Sequence, residues 1–137
     1  MKRKAKRAMR PGVYRAESAA SVLRAAAGHR VARIDLTGAR DKTALLQAIA
    51  GAMDFPSWFG GNWDALEDCL TDLSWHGADG HLLLIEGGAR LPPDDLGVFR
   101  DVLDSAAAYW SERKRPFFAV FVGGDASLPE FGAPGAR

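Results

Sequence analysis

Leu82-Leu83-Leu84-Ile85 is an unbroken apolar run bounded downstream by Gly87-Gly88. A strand with one wet face alternates apolar and polar residues. An unbroken run belongs to a strand covered on both faces. Phe117-Phe118-Ala119-Val120-Phe121-Val122 is a second such run, and Val31-Ala32-Arg33-Ile34-Asp35-Leu36 alternates in part. Helical patterns separate these strands. Asp41 can cap a helix to about Met53 with Ala44, Leu45, Ala48 and Ile49 on its buried face. Pro92-Pro93 opens another, running to about Arg113 and stopped by Pro116; Asp94 and Asp95 suit its positive end. Strands alternating with helices predict an α/β fold with a small, mostly parallel three-stranded sheet and helices packed on it in three layers. Gly12-Val13-Tyr14-Arg15 is available as a fourth, N-terminal strand. Ser18 can cap a short Ala-rich helix to Ala27, ended by Gly28.

The most informative stretch lies between the first long helix and the apolar strand. Phe55-Pro56-Ser57-Trp58-Phe59-Gly60-Gly61 reads as a loop, because Pro56 disfavours helix at the residue before it and the two glycines free the backbone. Asn62 is a good N-cap, and a helix follows from Trp63. At 100° per residue, Trp63, Leu66, Leu70 and Leu73 fall on one side, with Ala65 and Cys69 on its flank. Asp64, Glu67, Asp68 and Asp72 fall on the other, with no Lys or Arg among them. Like charges at i, i+4 destabilise an isolated helix by roughly 0.2–0.5 kcal/mol per pair. The dipole offsets part of this for Asp64 and Glu67, close to the N-terminus. An acidic helix face is ordinarily solvated surface. Adjacent aromatics on a glycine loop beside it give this one the composition of a protein interface.

The stretch resembles the signature of the barstar family, small intracellular inhibitors of ribonucleases. The match is carried by Trp58-Phe59-Gly60-x-Asn62 followed by Asp64-Ala65-Leu66-x-Asp68-Cys69-Leu70-Thr71. Val98-Phe99-Arg100-Asp101 resembles the family's helix segment that ends in an interface carboxylate. The order of elements is similar from about Val31 to Val122. The resemblance implies a one-to-one complex with a cationic ribonuclease, bound through Trp58, Phe59, Gly60, Asn62, Asp64, Glu67, Asp68, Thr71 and Asp101. It implies Asp68 as the central anion, Asp64 as partner of a flanking Arg, and Thr71 at the rim. Glu67 stands where the founding pattern has an aromatic, and Gly61 replaces an acidic residue. Both bear on which nuclease is bound.

The charge distribution fits that expectation. The net charge is only +1, but residues 1–33 hold ten basic residues against Glu17, and residues 54–104 hold eleven acids against Arg90 and Arg100. A cationic partner would be steered to the acidic half. A second reading is a regulatory or adaptor module on the same scaffold, whose basic Met1–Arg10 tail contacts nucleic acid. RNA contact by that tail is the lesser expectation, and a solvated tail the greater.

Other classes find little support. His29, His76 and His81 lie in unrelated segments, and none of the Gly-Gly pairs fits a dinucleotide or phosphate-loop spacing. No enzymatic activity, cofactor or metal is expected. The one cysteine rules out an internal disulfide, and Cys69 on the apolar flank reads as a buried thiol in a cytoplasmic protein. No apolar run approaches the roughly 18 residues of a membrane span, and Arg24 interrupts the Ala-rich stretch that a secretory signal would need. The expected organisation is a disordered basic tail over 1–10, one domain over 11–127 and a loose tail over 128–137.

Overall fold

The computed structural model describes residues 9–26, 29–75, 80–123 and 127–132. The elements are β1 (Gly12–Ala16), α1 (Ala19–Ala25), β2 (Arg30–Leu36), α2 (Lys42–Met53), α3 (Trp63–Leu70), β3 (His81–Gly87), α4 (Pro93–Glu112) and β4 (Phe117–Val122). The strands form one four-stranded, wholly parallel sheet in the order β1-β4-β3-β2. The N-terminal strand is therefore a full member of the sheet. It lies beside β4, the last strand, with Gly12 opposite Phe118 and Ala16 opposite Val122.

The pleat sorts side chains into two cores. On one face Ile34, Leu36, Leu83, Ile85, Phe117 and Ala119 meet α2, α3 and α4 through Leu45, Ile49, Leu66, Leu70, Phe99 and Leu103. On the other, Tyr14, Ala16, Leu82, Leu84, Phe118 and Val120 are covered by Val22 and Ala26 of α1 and its C-terminal turn, with Phe131 packed against them. Three layers result, and β3 and β4 are buried on both sides as their unbroken apolar runs require. The second cover is partial: Arg33 and Asp35 of β2 remain exposed, and Arg33 reaches Glu86 at 3.1 Å.

Helix starts follow local chemistry. Ser18, Asp41 and Asn62 each sit in extended backbone and accept a hydrogen bond from the amide three residues on. At the end of β3, Gly87 has φ +86, and a Cβ there would lie 2.5 Å from the backbone N of Thr37. Only glycine fits this close approach of two strand ends.

Two expectations change. Residues 128–132, expected as the start of a loose tail, are part of the fold. Arg15 N–H donates to Pro129 C=O at 2.8 Å, Phe131 N–H donates to Arg15 C=O at 2.8 Å, and the Phe131 ring stands edge-on to Tyr14 at 5.7 Å. The pairing satisfies the outer edge of β1, which polarity of the segment does not disclose. Second, α3 is shorter than its apolar pattern suggests. It ends at Leu70, and Leu73 has a left-handed φ of +51 yet stays buried. Leu73 reaches the core by reversing the chain, and Asp72 lies on that reversal, outside the helix. The tail expected over 1–10 falls mostly on residues 1–8, outside the described residues, as do Ala27, Gly28 and His76.

Candidate functional site

The aromatic loop is built around Trp75. Its indole Nε1 donates to the Met53 carbonyl at 3.1 Å, near the end of α2. Phe55 stands edge-on to Trp75 at 6.0 Å, Phe59 tilts against Phe55 at 4.9 Å, and Trp58 stands edge-on to Trp75 at 6.1 Å. A turn closed by Phe59 N–H to Pro56 C=O, 3.0 Å, sets the direction of the loop. Phe59 is half-buried against the main core, so it anchors the loop from below. Trp58 is 55% exposed, and its edge contact with Trp75 restrains it while its ring faces solvent. A large apolar ring held at the surface has no folding purpose that burial would explain.

The loop delivers the chain to α3. Gly61 takes φ +73, which favours glycine, whereas Gly60 has ordinary backbone and a Cβ there would meet Asn62 Nδ2 at 3.6 Å. The residue the turn needs is thus Gly61, and the site assignment of Gly60 rests on the resemblance. Asn62 Oδ1 accepts from Ala65 N–H at 2.7 Å. Leu66, Cys69 and Leu70 are buried, so Asp64, Glu67 and Asp68 point outward along one exposed stripe. Among the described residues, none of the three has a cationic partner within 4.0 Å. Thr71 closes the stripe, its Oγ1 donating to Glu67 C=O at 2.8 Å. Asp72, expected on the helix face, accepts from Ser74 N–H at 3.3 Å and belongs to the following turn.

Beneath the stripe, Cys69 is fully buried and its thiol is pushed up to about 11, first by burial and then by the Asp68 and Asp72 carboxylates. Burial thus keeps the thiol in its neutral, weakly nucleophilic form at neutral pH. Asp101 is exposed on α4, whose buried residues Phe99, Val102 and Leu103 face away from it. α4 packs against α3, and Trp110 Nε1 bonds the Leu70 carbonyl at 2.7 Å. The structure thus gathers Trp58, Asn62 and the α3 carboxylates on one continuous segment, with Asp101 on the neighbouring helix. Trp75, which organises the loop, is not singled out by the sequence pattern; its place just after the acidic helix is the available signal. Among the described residues no cluster of three or more His, Cys, Asp or Glu could hold a metal, and no helix is long and apolar enough to cross a membrane.

A four-stranded parallel sheet between helical layers, with an acidic helix and an exposed Trp on one side, defines a small three-layer α/β domain. A family model described as Barstar (barnase inhibitor) matches residues 29–122, and the chain belongs to the barstar family. No curated protein matches it. Among solved structures, Cdc6p from Pyrobaculum aerophilum is similar, with a TM-score of 0.54 and 19% identity over 83% of this chain and 33% of that one. This chain thus spans about a third of that protein, and the likeness extends to the fold alone. β1, α1 and residues 127–132 lie outside the family match.

Proposed function

We propose that this protein is a stoichiometric, non-catalytic inhibitor of a cationic ribonuclease, acting in the cytoplasm. The observation that carries this reading is the stripe of Asp64, Glu67 and Asp68, unpaired among the described residues, beside the exposed ring of Trp58. Carboxylates on a rigid helix can occupy the positions that RNA phosphates take in a nuclease cleft. Asp68 is the central anion, Asp64 meets a flanking Arg, and Trp58 packs on the rim of the catalytic surface. Phe59 and Asn62 hold the loop and helix that present these groups, with Gly60 between them. Thr71 lies at the rim, and Asp101 contributes from α4. Glu67 adds a charge at the middle of the interface, so the favoured nuclease carries an extra cation opposite it, and barnase-type enzymes bind more weakly than the native partner.

The test is titration of a cationic microbial ribonuclease with this protein and with the Asp64→Ala/Asp68→Ala double variant. A sharp one-to-one endpoint, lost in the double variant, is the expected result. Equal inhibition by both proteins would remove the acidic helix from the mechanism. If barnase and a native partner nuclease bind with the same affinity, the role given to Glu67 is wrong.

A further inference from the structure

Parallel strands all begin at one end of a sheet, so the residues that lead into them converge there. In this sheet Arg30 lies opposite His81, His81 lies opposite Phe117, and Gly12 lies opposite Phe118. Backbone hydrogen bonds from Arg30 N–H to Gly80 C=O and from His81 N–H to Pro116 C=O, both 3.1 Å, hold the approaches to β2, β3 and β4 in line. Four strands at about 4.8 Å spacing make this line roughly 14 Å wide. Along it stand Arg30, then the Arg113-Lys114-Arg115 turn before β4, then Arg10 before β1. All five cations are exposed.

Among the described residues, two acids reach ion-pair range of these cations, and Asp104 of α4 lines one cleft with Arg10. Asp54 lies 3.9 Å from Arg30 and Glu112 lies 4.0 Å from Arg113, both at the limit of an ion pair. Among the described residues, Arg10, Lys114 and Arg115 have no acidic partner in range. The turn itself is fixed. Arg115 N–H bonds back to Trp110 C=O at 3.0 Å, and the Arg113 guanidinium lies 3.5 Å above the Tyr109 ring. Lys114 has φ +59, a left-handed conformation that is unfavourable for a residue with a side chain and free of that cost for glycine. Lys2, Arg3, Lys4, Lys6 and Arg7 precede Arg10 directly in the chain, with no acid among residues 1–10.

We infer that this end of the sheet binds the phosphodiester backbone of single-stranded nucleic acid. Four of the five cations are arginines, whose planar guanidinium matches phosphate in two-point hydrogen bonding and stacks on bases. These five residues offer no apolar face to sink among lipid head groups, which leaves a membrane only the electrostatic part of the attraction. The acidic stripe of α3 repels the same ligand, so the two surfaces select partners of opposite charge. This inference stands apart from the inhibitor reading.

The experiment measures binding of the full chain to fluorescein-labelled oligouridylate by anisotropy across a range of KCl concentrations. The unaltered chain binds at low salt, with log affinity falling linearly against log salt. The Arg10→Gln/Lys114→Gln/Arg115→Gln variant weakens low-salt binding on the order of tenfold or more, and its salt slope is shallower by about 2, near 0.7 for each phosphate no longer neutralised. The same variant inhibits the nuclease as before, and Asp64→Ala/Asp68→Ala binds the oligonucleotide at least as well as the unaltered chain. Lys114→Gly, which removes one charge while relaxing the backbone, folds at least as stably and still loses affinity. No binding at low salt, an unchanged slope in the triple variant, or equally tight binding to phosphatidylserine vesicles would overturn the inference.

Discussion

The indole Nε1 of Trp110, near the end of α4, donates a 2.7 Å hydrogen bond to the carbonyl of Leu70, the last residue of α3. The final carbonyls of a helix have no partner within it. Here a neighbouring helix supplies one, and the acidic helix is thereby tied to the element that carries Asp101. Trp110→Phe keeps most of the ring but leaves the Leu70 carbonyl without this donor. The expected loss is about 1–2 kcal/mol of stability, read from urea unfolding midpoints at an unchanged m-value. An unchanged midpoint would show that water replaces the bond without cost.

Trp58 separates binding from folding. Its ring is 55% exposed and belongs to neither core. Trp58→Ala is expected to shift stability by no more than about 0.5 kcal/mol while weakening nuclease binding by roughly 2 kcal/mol. Calorimetric titration beside a thermal melt distinguishes the two effects. A melt that falls as far as the affinity would make Trp58 a structural residue.

Cys69 gives the protein an alkaline weakness. Its folded-state thiol lies near 11, raised from 9.0, so the fold favours the neutral form. The sign follows: the stabilisation is fully present below pH 9 and is lost as pH rises through the window from about 9 to about 11. Cys69→Ala should flatten the decline of melting temperature across that window. The native thiol should also resist alkylation at pH 8 and react only when the protein is unfolded. Rapid alkylation of the folded protein would contradict the burial.

A chain cut to residues 29–122, the span of the family match, lacks β1, α1 and Phe131. Leu82, Leu84, Phe118 and Val120 would then lie on an uncovered sheet face, and β4 would become an edge strand. This shortened chain is expected to bind a hydrophobic dye and to aggregate where the full chain does not. Monomeric behaviour without dye binding would show that the extension is dispensable to the core.

Much of the architecture is legible in the sequence because it depends on local chemistry. Ser18, Asp41 and Asn62 declare their helices through side-chain caps, and the runs at 82–85 and 117–122 declare double burial. What escapes depends on neighbours distant in sequence. No local property of Gly12–Ala16 says that it pairs with β4, and Phe131 looks like tail until Tyr14 is placed beside it. At the candidate site, the outward stripe of Asp64, Glu67 and Asp68 follows from helical periodicity alone. The end of α3 does not, because Leu73 keeps the apolar pattern going while its left-handed backbone takes it off the helix. Asp72 is misplaced by the pattern for the same reason.

The position of β1 also sets a schedule. Gly12 pairs with Phe118, more than a hundred residues later, so the ladder that fixes the N-terminal segment cannot form until β4 has been synthesised. Closing so long a loop costs conformational entropy, which is recovered more readily once β2, β3 and β4 already form a surface to dock on. The strand made before the other three thus has no partner in the sheet until the last of them exists. Until then, the apolar face of β3 and β4 that it and α1 will cover stands open to water.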